Sequence, residues 1–226
     1  SNDGLTTLDW ISKLGTRGKH RSSTERDFHR AAKREFRIGI DPYYVKVPLK
    51  QTDGSIKNEE IAVLLTHELL AELANHHGDH FVSQMQGPPG LVSKFWSAHR
   101  SEHWMREHPL RREVEEHPEN FIPLRLWGND SGISKKQTRG IRVLSWSSTT
   151  CALPSLQSKL AICYLQVQNM VPGSKHELFK VVAWSLNCLI MGVFPETDHR
   201  NKPLRGARLK KAGTPLAETH PATRRI

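Results

Sequence analysis

Apolar residues recur along this chain with two periods, every second position or every third to fourth, and the breaks between such runs mark its elements. Leu5, Leu8, Trp10, Ile11 and Leu14 keep helical spacing and stop at Gly15 and Gly18, which predicts one short amphipathic segment. Ser22-Ser23-Thr24-Glu25 has the form of a capping box, in which two side chains each satisfy a free backbone N–H, so a helix to about Phe36 should follow. Tyr43 to Leu49 alternates like a strand, Asp53-Gly54 supplies a hairpin turn, and Ile56 to Leu65 is the return strand. Pro48 has no N–H to donate and places its strand at a sheet edge. Thr66 should cap a helix over His67–His77 that buries Leu69, Leu70, Leu73 and Ala74. After the break Gly87-Pro88-Pro89-Gly90, a helix from Leu91 to about Glu107 turns Val92, Phe95, Trp96 and Trp104 inward.

Pro109 and Pro118 bracket a charged connector, residues 108–120, which is the expected domain boundary. Beyond it, Phe121 to Trp127 and Ile141 to Trp146 read as two strands joined by a polar connection of about a dozen residues that opens with Gly128-Asn129-Asp130-Ser131-Gly132. A third strand is expected over Lys159–Val167. Ser174-Lys175-His176-Glu177 then caps a helix, Leu178–Met191, that is apolar nearly all round and so should be covered on more than one side. From Pro195 onward the text is Gly, Pro, Lys and Arg with few large apolar residues, and a basic, extended and partly disordered tail is expected over 195–226.

The pattern alone leaves the partner open; charge narrows it. The chain's 226 residues include 33 Lys and Arg against 23 Asp and Glu, a formal charge of +10, and such an excess favours anionic partners, nucleic acid first. The cations cluster. Arg17, Lys19, Arg21, Arg26, Arg30, Lys33, Arg34 and Arg37 crowd one stretch that holds only Glu25, Asp27 and Glu35 as acids. Lys135, Lys136 and Arg139 lie in the connection between the two strands, and Arg205, Arg208, Lys210 and Lys211 in the tail. All fifteen are candidate phosphate contacts, although a charge run is more often simply a solvated face. The Arg205–Lys211 tract also has the composition of a nuclear import signal. No apolar run is long enough to span a bilayer, so no membrane partner is expected, and an intracellular, nuclear-compatible setting is. The three Cys are odd in number and lack C-x-x-C spacing, which argues against a disulfide framework and fits a reducing compartment.

Candidate chemistry is sparse. His99 and His103 stand four apart on one helical face and His76, His77 and His80 gather near a helix end, but spacing forces no third or fourth ligand towards them, so zinc is not expected. His67-Glu68 opens like a metalloprotease motif and fails at Ala71. The chain has no nucleophile elbow, phosphate-binding loop or dinucleotide fingerprint. What remains is Asp130, at the expected end of a strand. A carboxylate there can hold Mg²⁺ for phosphoryl chemistry, and it can equally be a turn residue.

The strings at 5–20, 63–73 (VLLTHELLAEL), 95–100 (FWSAHR), 122–130 (IPLRLWGND), 144–148 (LSWSS) and 183–195 (AWSLNCLIMGVFP) resemble a recurrent family of uncharacterised transposon-like open reading frames in algal genomes. The middle of the chain is faintly similar to RNase H-like transposases of the Plavaka and KDZ kind. The resemblance implies an α+β fold: N-terminal helices and a β-hairpin over 1–107, then a three-stranded antiparallel sheet with a covering helix over 121–194, a partial RNase H-like β-β-β-α unit. It implies Asp130 as a catalytic residue and Asp130 with Asn129 as Mg²⁺ ligands. Asn129 stands where that pattern carries an acid, so it brings a carbonyl but no charge. After Met191 only Glu196, Asp198 and Glu218 remain as acids, where such catalysis needs carboxylates on a further strand and helix. The chain therefore reads as an N-terminal fragment of a transposase-derived, DNA-associated protein, catalytically incomplete alone; any activity would be Mg²⁺-dependent strand transfer or nuclease action. The alternatives are a non-catalytic nucleic-acid-binding module and a translated relic without a selected role.

Overall fold

The computed structural model describes residues 40–132 and 140–217. The chain divides into two units, Ser1–Asp41 and Pro42–Ile226, and every described helix and strand belongs to the second. The segment expected over 1–20, the capping box with its helix, the eight cations from Arg17 to Arg37, and Lys135, Lys136 and Arg139 lie outside the described residues.

The fold is α+β: a two-stranded hairpin, a run of helices, a three-stranded antiparallel sheet and a long helix. β1 (Tyr43–Lys50) pairs antiparallel with β2 (Ile56–Val63) around the turn at Asp53-Gly54. Gly54 sits at φ +82°, where a side chain would be strained. Alternation in β1 drives Val45, Val47 and Leu49 into the core while Tyr44 and Lys46 stay outside. Helix α1 (Thr66–His76) follows, then a short helix α2 (Gly78–Phe81) that runs into a π-turn over Val82–Gln86. The expected single helix over 91–107 is two, α3 (Leu91–His99) and α4 (His103–Arg106). A turn separates them, closed by Glu102 N–H donating to the His99 carbonyl.

The connector expected at 108–120 is itself structured. It carries α5 (Arg111–Glu116), whose Val114 packs with Val92, Trp96 and Met105, with Phe95, Leu110 and Phe121 around them. Trp96 Nε1 fastens this satellite core by donating to the Phe121 carbonyl at 2.6 Å.

β3 (Leu124–Gly132) pairs antiparallel with β4 (Gly140–Ser148), and β4 with β5 (Leu160–Gln166), giving the order β3-β4-β5. A short helix, α6 (Ser155–Ser158), connects the last two. Residues 128–132 are therefore paired strand, with Asp130 opposite Arg142 and Gly132 opposite Gly140, where the glycine-flanked composition suggested a break. A shift between Leu144 and Ser145 bulges the β4–β5 ladder.

α7 (Pro172–Met191) starts two residues before the expected box. Ser174 is the third residue of the helix and not its cap: its Oγ accepts the N–H of the capping residue Val171 at 2.9 Å and donates to the Pro48 carbonyl at 2.5 Å, while Glu177 pairs with Lys180. One stripe of α7, from Ser174 through Leu178, Val181, Val182, Ser185, Cys188 and Leu189, is buried, and the helix packs mainly on β1 and α1. Its other side is open, since Phe179, Ile190 and Met191 are exposed.

The segment after Met191 folds back, where an extended tail was expected. Bridges Val193↔Pro215 and Thr197↔Pro203 close it, α8 (Gly206–Lys211) lies within it, and Phe194, Leu204 and Leu216 are buried.

Candidate nucleic-acid interface

Two neighbours in a strand point to opposite faces, and this settles the relation between Asn129 and Asp130. Asp130 shares a face with its register partner Arg142; Asn129 shares the other with Val143 and, one strand further, Tyr164. They do not converge on one ion. The Asp130 carboxylate is taken by the Arg142 guanidinium, Nε to Oδ1 and Nη2 to Oδ2, both at 2.5 Å. That bidentate pair holds the Asp130 carboxyl below the usual carboxylate range, with Lys175 adding to the effect, and raises Arg142. Among the described residues no group of three or more His, Cys, Asp or Glu is placed to hold a metal ion, so the donor set around Asp130 does not fit a two-metal centre. His99 is stacked on Phe95 and hydrogen-bonds the Phe95 carbonyl through Nδ1, while His103 faces Glu107.

Of the tail cations, Arg208 is committed internally. It grips Glu68 of α1 through Nε and Nη2 at 2.6 and 2.9 Å and lies over the Tyr43 ring. Lys211 lies 5.3 Å from the Phe194 ring centroid, and Arg205 and Lys210 are exposed. Beneath Arg208 is a buried polar knot: Ser185 Oγ meets Thr66 Oγ1 at 2.7 Å and His67 Nδ1 at 2.8 Å. His67 is 1% exposed, edge-on to Trp184 and Phe194, and burial first, then the nearby Arg208 charge, pull its pKa down to about 4. A neutral, inaccessible imidazole with an inaccessible serine is a packing device, and offers no substrate a way in. An apolar cavity of about 580 Å³ opens between Phe95, Trp96 and Trp104 on one side and Leu186, Leu189 and Ile190 on the other, and none of the expected site residues line it.

The face that carries Asn129 has a different character. Its register rows bring Arg125, Trp127 and Asn129 of β3 beside Ser147, Ser145 and Val143 of β4, and Tyr164 of β5 beyond. Ser145 and Ser147 of the middle strand are buried, while large side chains on the flanking strands reach solvent. Trp127 is 41% exposed and Tyr164 60%. Arg125 Nε donates to Ser147 Oγ at 3.1 Å, which plants its guanidinium 5.2 Å from the Trp127 ring centroid, and the exposed Lys159 ammonium lies 4.6 Å from the same centroid. Two cations on one exposed indole are each held by its quadrupole and remain accessible to an anion. The one carboxylate of β3, Asp130, points to the opposite face. Neither Arg125 nor Lys159 stands out in the sequence, because they are 34 positions apart and only the β3-β4-β5 order brings them to one indole.

No family model matches the chain, and no curated protein or solved structure resembles it significantly. The fold defines an α+β protein, and the described helices include none long and apolar enough to cross a membrane.

Proposed function

We propose that this chain is a nucleic-acid-binding module that performs no chemistry of its own through the residues described. One observation carries the reading: a sheet face, free of carboxylates among the described strands, on which Arg125 and Lys159 flank the exposed Trp127. Cations there can exchange the indole for phosphate oxygens, releasing condensed counterions, and the net charge of +10 draws a polyanion towards the surface. The exposed Arg205 and Lys210 are part of that charge. Titrating the full chain into a labelled oligonucleotide at several salt concentrations tests it. Affinity should fall linearly with salt on a log–log plot, and Arg125→Gln with Lys159→Gln should flatten the line; an association indifferent to salt would overturn the reading.

A second reading draws on the β-β-β-α order of β3, β4, β5 and α7, which a transposase-derived protein of RNase H-like type would share. There Asp130 and Asn129 would bind Mg²⁺, but the Arg142 pair and the opposed faces of the two side chains weigh against it. Its test is nicking of DNA in Mg²⁺ or Mn²⁺ that Asp130→Ala abolishes; binding without nicking, and no weaker in Asp130→Ala, rejects it.

A further inference from the structure

We infer that the β3-β4-β5 face takes a single strand, with bases stacked on Trp127 and Tyr164 and the phosphates between them held by Arg125 and Lys159. The inference rests on the nucleic-acid reading and names its substrate class. Three features point to single strands over duplex. First, both rings are partly exposed on one face of the sheet, so each presents area to a flat partner; in a duplex the base faces are stacked on one another and only edges and phosphates are offered. Second, the two rings lie on the outer strands β3 and β5, about two strand spacings or ~10 Å apart across the sheet, and two residues apart along it. That separation suits non-adjacent bases of an extended strand crossing the sheet. Third, the described helix that carries candidate phosphate contacts, α8, is six residues long, and its Arg208 is committed to Glu68, so it makes a poor groove reader.

The cations over Trp127 act as placeholders. A base that stacks on the indole displaces them from the ring, and both are long enough to turn outward to the phosphates on either side of that base. Arg125 pivots about Ser147 Oγ, and Lys159 is exposed at the start of β5. Asn129, between the two rings on the same face, offers an amide to a base edge.

The test measures the anisotropy of labelled oligothymidylate and oligouridylate of about 16 nucleotides, and of a mixed-sequence duplex, with the full chain. Single strands should bind at least tenfold tighter than duplex. Trp127→Ala should lose on the order of ten- to a hundredfold of single-strand affinity with an unchanged salt slope, while Trp127→Phe retains most of it, and Tyr164→Ala should lose less. Unchanged far-UV circular dichroism shows that the variants fold. Equal affinity for duplex, or Trp127→Ala without effect while Arg125→Gln and Lys159→Gln still flatten the salt dependence, would overturn the single-strand inference and leave the nucleic-acid reading standing. Salt-independent or absent binding to every oligonucleotide would overturn both.

Discussion

Acid should destabilise this protein well above the pH at which its carboxylates protonate, because folding hides His67. In the folded chain the imidazole is 1% exposed against Trp184 and Phe194, hydrogen-bonded to Ser185, and its pKa is near 4; unfolded, it returns to about 6.5. The unfolded state therefore binds the extra proton between those values, and stability falls as pH falls through 6.5, levelling off below about 4. From pH 7 to pH 5 the loss from this one group is about 2 kcal/mol, a large share of the roughly 5–15 kcal/mol typical of a folded domain. His199, also pushed down by burial, adds in the same sense. Asp53, Glu115, Asp130 and Glu177, whose pKa values are lowered by their partners, lose their contribution as pH falls from the usual carboxylate range downward, and so leave most of this window clear. Urea unfolding at half-unit steps from pH 7.5 to 5 measures the slope. His67→Gln should be less stable at neutral pH and show a much shallower slope. Equal slopes in the two proteins would refute the claim that the imidazole is buried neutral.

Gly87 sits at φ +67°, and a Cβ there would collide with the Thr150 carbonyl, so Gly87→Ala should cost several kcal/mol, on the order of 2–4, in a thermal melt. The Glu68–Arg208 pair joins the folded-back segment to α1 with side chains 14% and 25% exposed; a double-mutant cycle with Glu68→Gln and Arg208→Gln should return a coupling of about 1–2 kcal/mol, and a value near zero would detach α8 from the stability of the core. Burial raises the Cys163 and Cys188 thiols to about 11, so an alkylating reagent at pH 8 should mark Cys151 and spare those two under native conditions, as peptide mass spectrometry would show. Asp130→Asn should leave the melting temperature almost unchanged and strengthen oligonucleotide binding slightly by freeing the Arg142 charge, read by anisotropy at low salt.

What could be read from the sequence follows from where its information is local. The β1–β2 hairpin is legible because alternation and an Asp-Gly turn coincide within about twenty residues, and the start of α7 is marked by Ser174 within two residues. The reading of β3 stops short because Gly128-Asn129-Asp130-Ser131-Gly132 has the composition of a turn; only its partner strand, Gly140 to Leu144, extends it. The split between α3 and α4 is invisible, since Trp96 and Trp104 keep helical spacing across it. Phe194, Leu204 and Leu216 anchor the last described segment with no period to betray them. The same reason hides the interface. Asp130 draws notice as an acid in a suggestive string, whereas Arg125, Trp127 and Lys159 are ordinary residues until sheet pairing sets two cations over one exposed ring.

Whether the β3-β4-β5 face meets phosphate at all is decided by the salt dependence of oligonucleotide binding, measured for the full chain and for Arg125→Gln/Lys159→Gln side by side. Each phosphate contact on a single strand contributes about 0.7 to the slope of log affinity against log salt, so the double variant should bind more weakly with a slope shallower by about 1.4. Two lines of the same slope and position would mean that the cations over Trp127 touch no phosphate.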